Sequence, residues 1–261
     1  MEKISKVTSR RDIEEALRDN GISKGDDVMV HASLKTFGYL PNGPIDVINA
    51  IDDVIDFNHG TILMPSHTSQ LTDPSDWRSP PVVEPYLAKK ISQNIDIFDK
   101  YNTPTYGRGT LAEYFRNFKG VVRSNHPLSS VTALGVKKYY YVETHNLNGS
   151  EDINSPVGKL YKNNGKIIGF GVESFTALHL AEYIADIPEL YSSNPSVLVR
   201  KSNKEFIFQK LKKYTKPGNP FDEIKHLLIE AKAFKEYNAD FKMTVLNLKK
   251  AVDIYVSFLE K

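Results

Sequence analysis

Three short apolar runs, each closed by polar or turn-forming residues, constrain this chain more than any other feature. Val28 to Val30 lies in DDVMVHASL, Thr61 to Met64 lies in GTILMPSHT, and Lys166 to Val172 reads KIIGFGV. Runs that are apolar at consecutive positions suit strands covered on both faces. Between the first two, Asp46 to Phe57 predicts a helix with Val47, Ala50, Ile51, Val54 and Ile55 on one face. Strand, helix, strand with short turns predicts a right-handed crossover and a sheet that is parallel at least there.

Residues 9–19 predict a helix with Ile13, Ala16 and Leu17 facing inward and Ser9 as N-cap. LAEYFRNF (111–118) reads as a helix and Ser130 to Leu134 as a strand. SFTALHLAEYIADI reads as one helix capped by Ser174 and stopped by Pro188. Residues 196–211 predict a β-hairpin with SNK at its turn, and FDEIKHLLIEAKAF and VLNLKKAVDIYVSFL are amphipathic. Residues 68–106 are polar and carry Pro74, Pro80, Pro81, Pro85 and Pro104. A stretch of that length in a compact domain predicts a binding loop or lid. No repeat, low-complexity segment or linker divides the chain. The expectation is one α/β domain over 1–261, a largely parallel or mixed sheet flanked by helices, with an appended C-terminal part.

The 261 residues are 40% hydrophobic and 25% charged, which argues against disorder, and a chain of this length hides roughly 75% of its unfolded surface. Thirty-four basic against 32 acidic residues leave +2, too small and scattered an excess for nucleic-acid binding. The absence of cysteine excludes disulfides, thiolate metal sites and a cysteine nucleophile. The opening MEKISKVTSRRDIEEAL is too charged for a secretory signal, and no apolar run approaches the roughly 20 residues of a membrane span. The reading is a soluble cytoplasmic protein with no metal.

In open α/β sheets, ligands gather beyond the carboxyl ends of strands. Three such ends carry suggestive groups: His31-Ala32-Ser33, Ser66-His67 and Gly169-Phe170-Gly171. The last lacks the third glycine of a dinucleotide fingerprint, and no Walker sequence, zinc helix or nucleophile elbow occurs. Of the seven histidines, His59, His145 and His226 read as solvated. His179 has Glu182 at i+3 and Asp186 at i+7. This is either an exposed polar stripe or an imidazole oriented by a carboxylate, suited to act as a general base. His126, in RSNHP, reads equally as a structural hydrogen bond or a site. Gly107-Arg108-Gly109 opens a helix, as either a flexible turn or an anion-binding N-terminus.

HASLKTFG, GTILMPS, TPTYGRGTLAEYFR, RSNHPLSSVTALG, SPVGKLY, IIGFGV and TALHLAEY occur in the order and approximate spacing of the aminoglycoside 3-N-acetyltransferase family. The chain resembles that family well over about residues 10–190. The resemblance implies a fold distinct from the GNAT acetyltransferases, with acetyl-CoA as co-substrate and an amine acceptor. The family's catalytic histidine, in H-L-A-E, falls on His179, followed by Glu182. Its CoA-binding positions fall on the loop His31, Ala32, Ser33, Leu34 and Lys35, on Gly107, Arg108 and Gly109, and on Arg123, Ser124 and His126. An acid that holds the amino sugar falls on Asp73, with Asp76 nearby. Lys35 and Arg123 are then candidates for CoA phosphates. The implied partners are CoA and a small-molecule amine, for a monomer or homodimer without nucleic acid or membrane.

Three features depart from the family's pattern. Arg108 stands where a methionine is usual, and Ala32 where a serine is usual. Lys210, Lys212, Lys213 and Lys216 fill a stretch that is often acidic in antibiotic-modifying members. The lysines are either a solvated face or a sign that the acceptor is not a polycation, for example a nucleotide-linked amino sugar of surface-glycan assembly. A CoA-binding relative without catalysis is the reading from another class.

Overall fold

The three apolar runs lie side by side at the centre of a seven-stranded sheet. The structure, a computed structural model, describes residues 3–77, 83–173, 175–187, 191–193, 195–201, 205–214 and 220–261. The first half comprises α1 (Arg10–Asp19), β1 (Asp27–Ala32), α2 (Pro44–Ile55), β2 (Thr61–Pro65), α3 (Pro85–Ser92), α4 (Gly109–Arg116), β3 (Val122–Arg123), β4 (Val131–Gly135) and α5 (Lys138–Val142). The second comprises α6 (Pro156–Lys162), β5 (Lys166–Phe170), α7 (Leu180–Ala185), β6 (Tyr191–Ser193), β7 (Ser196–Arg200), β8 (Phe206–Lys210), β9 (Lys213–Tyr214), α8 (Pro220–Glu230), β10 (Phe234–Asn238), β11 (Lys242–Asn247) and α9 (Leu248–Leu259).

The strand order is β10-β11-β5-β1-β2-β4-β3. β1 runs parallel to β2 (Val28 opposite Ile62) and to β5 (Met29 opposite Ile167), as the strand–helix–strand pattern requires. The outer pairings are antiparallel, β11 on β5 and β4 on β2, so the sheet is mixed. Alternation along the strands splits the core in two. Val28, Val30, Ile62, Met64, Ile168 and Phe170 pack under α1, α2 and α4. Met29, Leu63 and Ile167 face the helices α5 to α9, with Leu160, Leu180, Leu228 and Tyr255 among their neighbours.

Local rules account for the element ends. Ser9 Oγ accepts from Asp12 N while Asp12 Oδ2 accepts from Ser9 N, a reciprocal cap on α1. Pro44 at the first turn starts α2 two residues before Asp46. The stretch after β5 is not one helix. Thr176–His179 is a 3-10 turn that passes into the short α7, and Asp186 in the left-handed region (φ 48) ends it. Ser174 and Pro188 lie outside the described residues, as do Pro80 and Pro81. The C-terminal segments also divide. Asn247 ends β11 and its side chain caps α9 through Lys250 N, so VLNLKKAVDIYVSFL is strand and then helix. Thereby the C-terminal part enters the sheet through β11 and the core through α9.

Two 3-10 turns, Ser69–Leu71 and Pro74–Asp76, and the helix α3 structure the 68–106 segment. The β7–β8 hairpin forms as the sequence predicts, Val197 opposite Gln209, with its turn at 202–204 outside the described residues. It docks on this segment through a bridge between Thr72 and Val197, over a small cluster of Leu128, Val197 and Leu211.

Candidate active site

Beyond the carboxyl ends of β1 and β2 lies a cavity of about 430 Å³. Its walls are the β1 exit from His31 to Lys35, the loop and helix start from Gly107 to Ala112, and Val172 and Thr176 across from them. Glycine is needed at two of these positions. Gly107 and Gly109 have φ of 67 and 80, and a Cβ on Gly109 would come within 3.3 Å of the Ala32 carbonyl oxygen. The start of α4 is thus brought against the end of β1. Residues from two of the expected binding segments therefore share one cavity.

The polar groups here are unusually unsatisfied. His31 Nε2 and Arg108 Nε are buried without a hydrogen-bond partner. His31 stands edge-on to Phe175, ring centres 5.6 Å apart. Burial, and then the Arg108 charge, push its imidazole down to about 3, so it is neutral at physiological pH. Burial also holds His67 well below its ordinary value, helped by Arg108 and Lys213. Arg108 is itself pushed down by burial, with Glu151 supporting its charge. Glu151 is buried, and its Oε2 too lacks a partner. No local signal in the sequence marks Glu151; only the folded chain brings it to bear on Arg108.

His179 closes the 3-10 turn whose first residue, Thr176, lines the cavity. Its Nδ1 lies 2.9 Å from Glu182 Oε2, and the imidazole is 18% exposed while Glu182 is fully buried. A carboxylate only accepts, so Nδ1 carries the proton and a neutral ring presents its lone pair at Nε2. The other carboxylate oxygen, Oε1, accepts from the Tyr255 hydroxyl at 3.0 Å. The polar stripe proposed for this helix is therefore not a solvated face at Glu182.

Arg123, Ser124 and His126 stand apart from the cavity lining. The buried Arg123 guanidinium donates to Ser130 Oγ and to the carbonyls of Thr103 and Ser66, tying the exit of β2 to β3 and β4. Burial lowers it to about 10. Three of its five N–H donors are taken by these bonds, and the side chain is buried away from the cavity lining. Ser124 Oγ accepts from Val131 N and bonds His145 Nδ1. His126 is fully buried, and its Nδ1 accepts from Leu128 N and Ser129 N while Nε2 faces the Leu147 carbonyl. Its ring centre lies 4.4 Å from that of His145, with the two rings tilted by 37°. His145 is thus half-buried and hydrogen-bonded at both ring nitrogens, where the sequence reading has it solvated. Its Nε2 bonds the Ser150 carbonyl, and the partners that cover it come from a turn some twenty residues earlier.

Asp73 and Asp76 are both engaged. Asp73 accepts from Ser75 N and Oγ, and Asp76 Oδ2 accepts from Ser196 N at the base of the hairpin. Within the lysine run, Lys210 and Lys212 are exposed, whereas Lys213 is half-buried and its charge reaches His67 and His126. Lys216 lies outside the described residues. Among the described residues no cluster of three or more histidines and acids could hold a metal, and no helix is long and apolar enough to cross a membrane.

Comparison with known proteins gives a consistent neighbourhood. The profile of the family described as aminoglycoside 3-N-acetyltransferase matches residues 29–260. The SPbeta prophage-derived aminoglycoside N(3')-acetyltransferase-like protein YokD of Bacillus subtilis (strain 168) is 34% identical over 221 residues, 80% of each chain. Its crystal structure superposes with a TM-score of 0.86, covering 97% of this chain and 93% of that one at 30% identity. Aminoglycoside N(3)-acetyltransferase III of Salmonella sp is 32% identical over 187 residues, which are 69% of this chain but 62% of the enzyme. The solved AAC-IIIb binary complex with CoASH has a TM-score of 0.81 and covers 97% of both chains at 23% identity, a likeness of fold.

Proposed function

Because the chain belongs to the aminoglycoside 3-N-acetyltransferase family, we propose that it moves an acetyl group from acetyl-CoA directly to an amine of an amino sugar, with His179 as general base. The observation that carries this is the His179–Glu182 pair, on the 3-10 turn whose first residue lines the cavity, with Nδ1 held and Nε2 unpartnered among the described residues. An amine attacks a thioester only in its neutral form and must shed a proton as the bond to carbon forms. His179 Nε2 takes that proton, Glu182 stabilises the resulting imidazolium, and the same proton returns to the departing thiol. Acetyl-CoA supplies the activated acyl group as co-substrate. The His31–Lys35 loop and Gly107–Gly109 would line it, with exposed Lys35 available to a phosphate. The same fold crystallised with CoASH supports this choice. Arg123, Ser124 and His126 act behind these segments, holding the ends of β2 and β3.

The solved AAC-VIa complex with sisomicin supports an aminoglycoside acceptor. A second reading, a nucleotide-linked amino sugar, is favoured by two cations in this chain. Arg108, with Nε unpartnered, and Lys213 both act on His67. An acceptor carrying an anion would meet them favourably and a polycation would not. Parallel thiol-release assays with aminoglycosides and with nucleotide-linked amino sugars separate the two. Turnover of aminoglycosides alone overturns the second reading, and turnover of nucleotide sugars alone overturns the first. Thiol release should vanish in His179→Ala while CoA still binds; undiminished turnover would remove His179 from the chemistry.

A further inference from the structure

We infer that Tyr255 of α9 is a positioning residue for acetyl transfer, its hydroxyl holding the Glu182 carboxylate aimed at His179. This rests on the role proposed for His179. Tyr255 and Glu182 are separated by 73 residues and are both fully buried. The inward stripe of α9 is Leu248, Ala251, Val252 and Tyr255, a helical spacing that packing alone would fill with an apolar ring. The hydroxyl is the one polar group of that stripe, and it reaches Glu182 Oε1 at 3.0 Å.

The carboxylate needs it. Around Glu182 the core is apolar, with Leu180, Ala181, Ala251 and Val252 in the same packed cluster. An ionised carboxyl buried there is unfavourable unless its oxygens accept hydrogen bonds. His179 Nδ1 serves one oxygen, and Tyr255 serves the other. Remove the hydroxyl and Oε1 faces hydrocarbon, so the pair relieves its buried charge by holding a proton more firmly. The carboxylate, then held at one oxygen only, no longer fixes the imidazole for the attack.

Tyr255 can only donate. Burial first, and then the charge of Glu182, raise its phenol far above the ordinary value; Glu223 of α8 acts in the same direction. The phenolic proton is therefore fixed between the two oxygens and takes no part in transfer.

Tyr255→Phe tests this with the ring retained. A fall in kcat of about ten- to a hundredfold is expected, the worth of one hydrogen bond to a buried charge. KM values for acetyl-CoA and acceptor should stay within about twofold, since neither substrate touches Tyr255. The acid limb of the pH–rate profile should move to higher pH, because a carboxylate deprived of a donor makes the coupled pair easier to protonate. Tyr141→Phe is the matched control. Tyr141 is equally buried and donates to a carboxylate, Asp27, away from His179. It should lower stability without moving the pH profile.

Unchanged kcat and pH profile in folded Tyr255→Phe overturn the inference. So does an equal shift in the Tyr141 variant. NMR titration of the His179 imidazole gives a readout without any acceptor, and its midpoint should rise in Tyr255→Phe. Full activity in His179→Ala would instead defeat the functional reading, whatever Tyr255 does.

Discussion

Two histidine centres of this molecule, about fifty residues apart in sequence, are both largely shielded from water and yet are built for opposite ends. At His126 each ring nitrogen is committed to the chain itself: backbone N–H groups of Leu128 and Ser129 on one side, the Leu147 carbonyl on the other. At His179 one nitrogen is bound by a buried carboxylate, on a turn whose first residue lines the cavity. Burial is common to both; the partner is not. Main-chain partners lock a neutral ring in place, whereas a single carboxylate orients the ring and makes its protonated form tolerable. The nature and number of partners separate a structural histidine from a proposed base.

That contrast can be tested from both sides. The largest effect is expected for Glu182→Gln, which keeps the volume but removes the charge that stabilises the imidazolium. kcat should fall by about 10²–10⁴-fold, the typical worth of a general base, with CoA affinity by calorimetry unchanged. Near wild-type kcat would erase the distinction. At the other centre, His126→Ala strips the acceptor from two buried N–H groups. A loss of roughly 2–4 kcal/mol in urea unfolding is expected, with kcat of the folded protein within about threefold of wild type.

Acid should expose the same difference. His126 is held at about 3 by burial and by His145, against an ordinary value of about 6.5 in the unfolded chain. Between these values the unfolded chain binds the extra proton. Stability is therefore full above about pH 6.5 and declines as pH falls toward 3, by up to about 1.4 kcal/mol per unit for each such group. His31 adds to the decline in the same sense. His126→Asn can still accept from the local N–H groups but does not titrate, so its urea midpoint should fall less steeply between pH 7 and 5. An identical slope would show that His126 is not the group responsible. The smallest effect is expected at the exposed His59, bonded to Asp56 at 2.7 Å. His59→Ala should change unfolding free energy by no more than about 0.5 kcal/mol and leave turnover alone.

The sequence made some of this legible and hid the rest, for identifiable reasons. β1, α2 and β2 could be read because consecutive apolar residues and a helical apolar face are local signals, and Ser9 because a capping box is written within four residues. The two glycines at the start of α4 and the His179–Glu182 spacing are equally local. His145 was misread because its polar neighbours look like a solvated turn; Ser124 and His126 cover it only after folding. The 3-10 start before α7 left no mark, since Thr176 to His179 has ordinary helix composition. Tyr255 lies in a segment that the sequence marks only as amphipathic, and in the fold it is core. Its second role exists only because a buried carboxylate from α7 meets its hydroxyl.

The pairing of β1 with β5 also has a consequence in time. β1 begins at Asp27, but the strand that completes its second edge begins at Lys166 and forms the ladder from Val28 through Ala32. At a synthesis rate of about 5–20 residues per second, the ribosome needs on the order of ten seconds to supply it. During that interval β1 has β2 on one side and an open parallel edge on the other, on an otherwise apolar strand. Nascent chains of this protein should therefore be most prone to aggregate, and most dependent on a holding chaperone, between the emergence of β2 and that of β5.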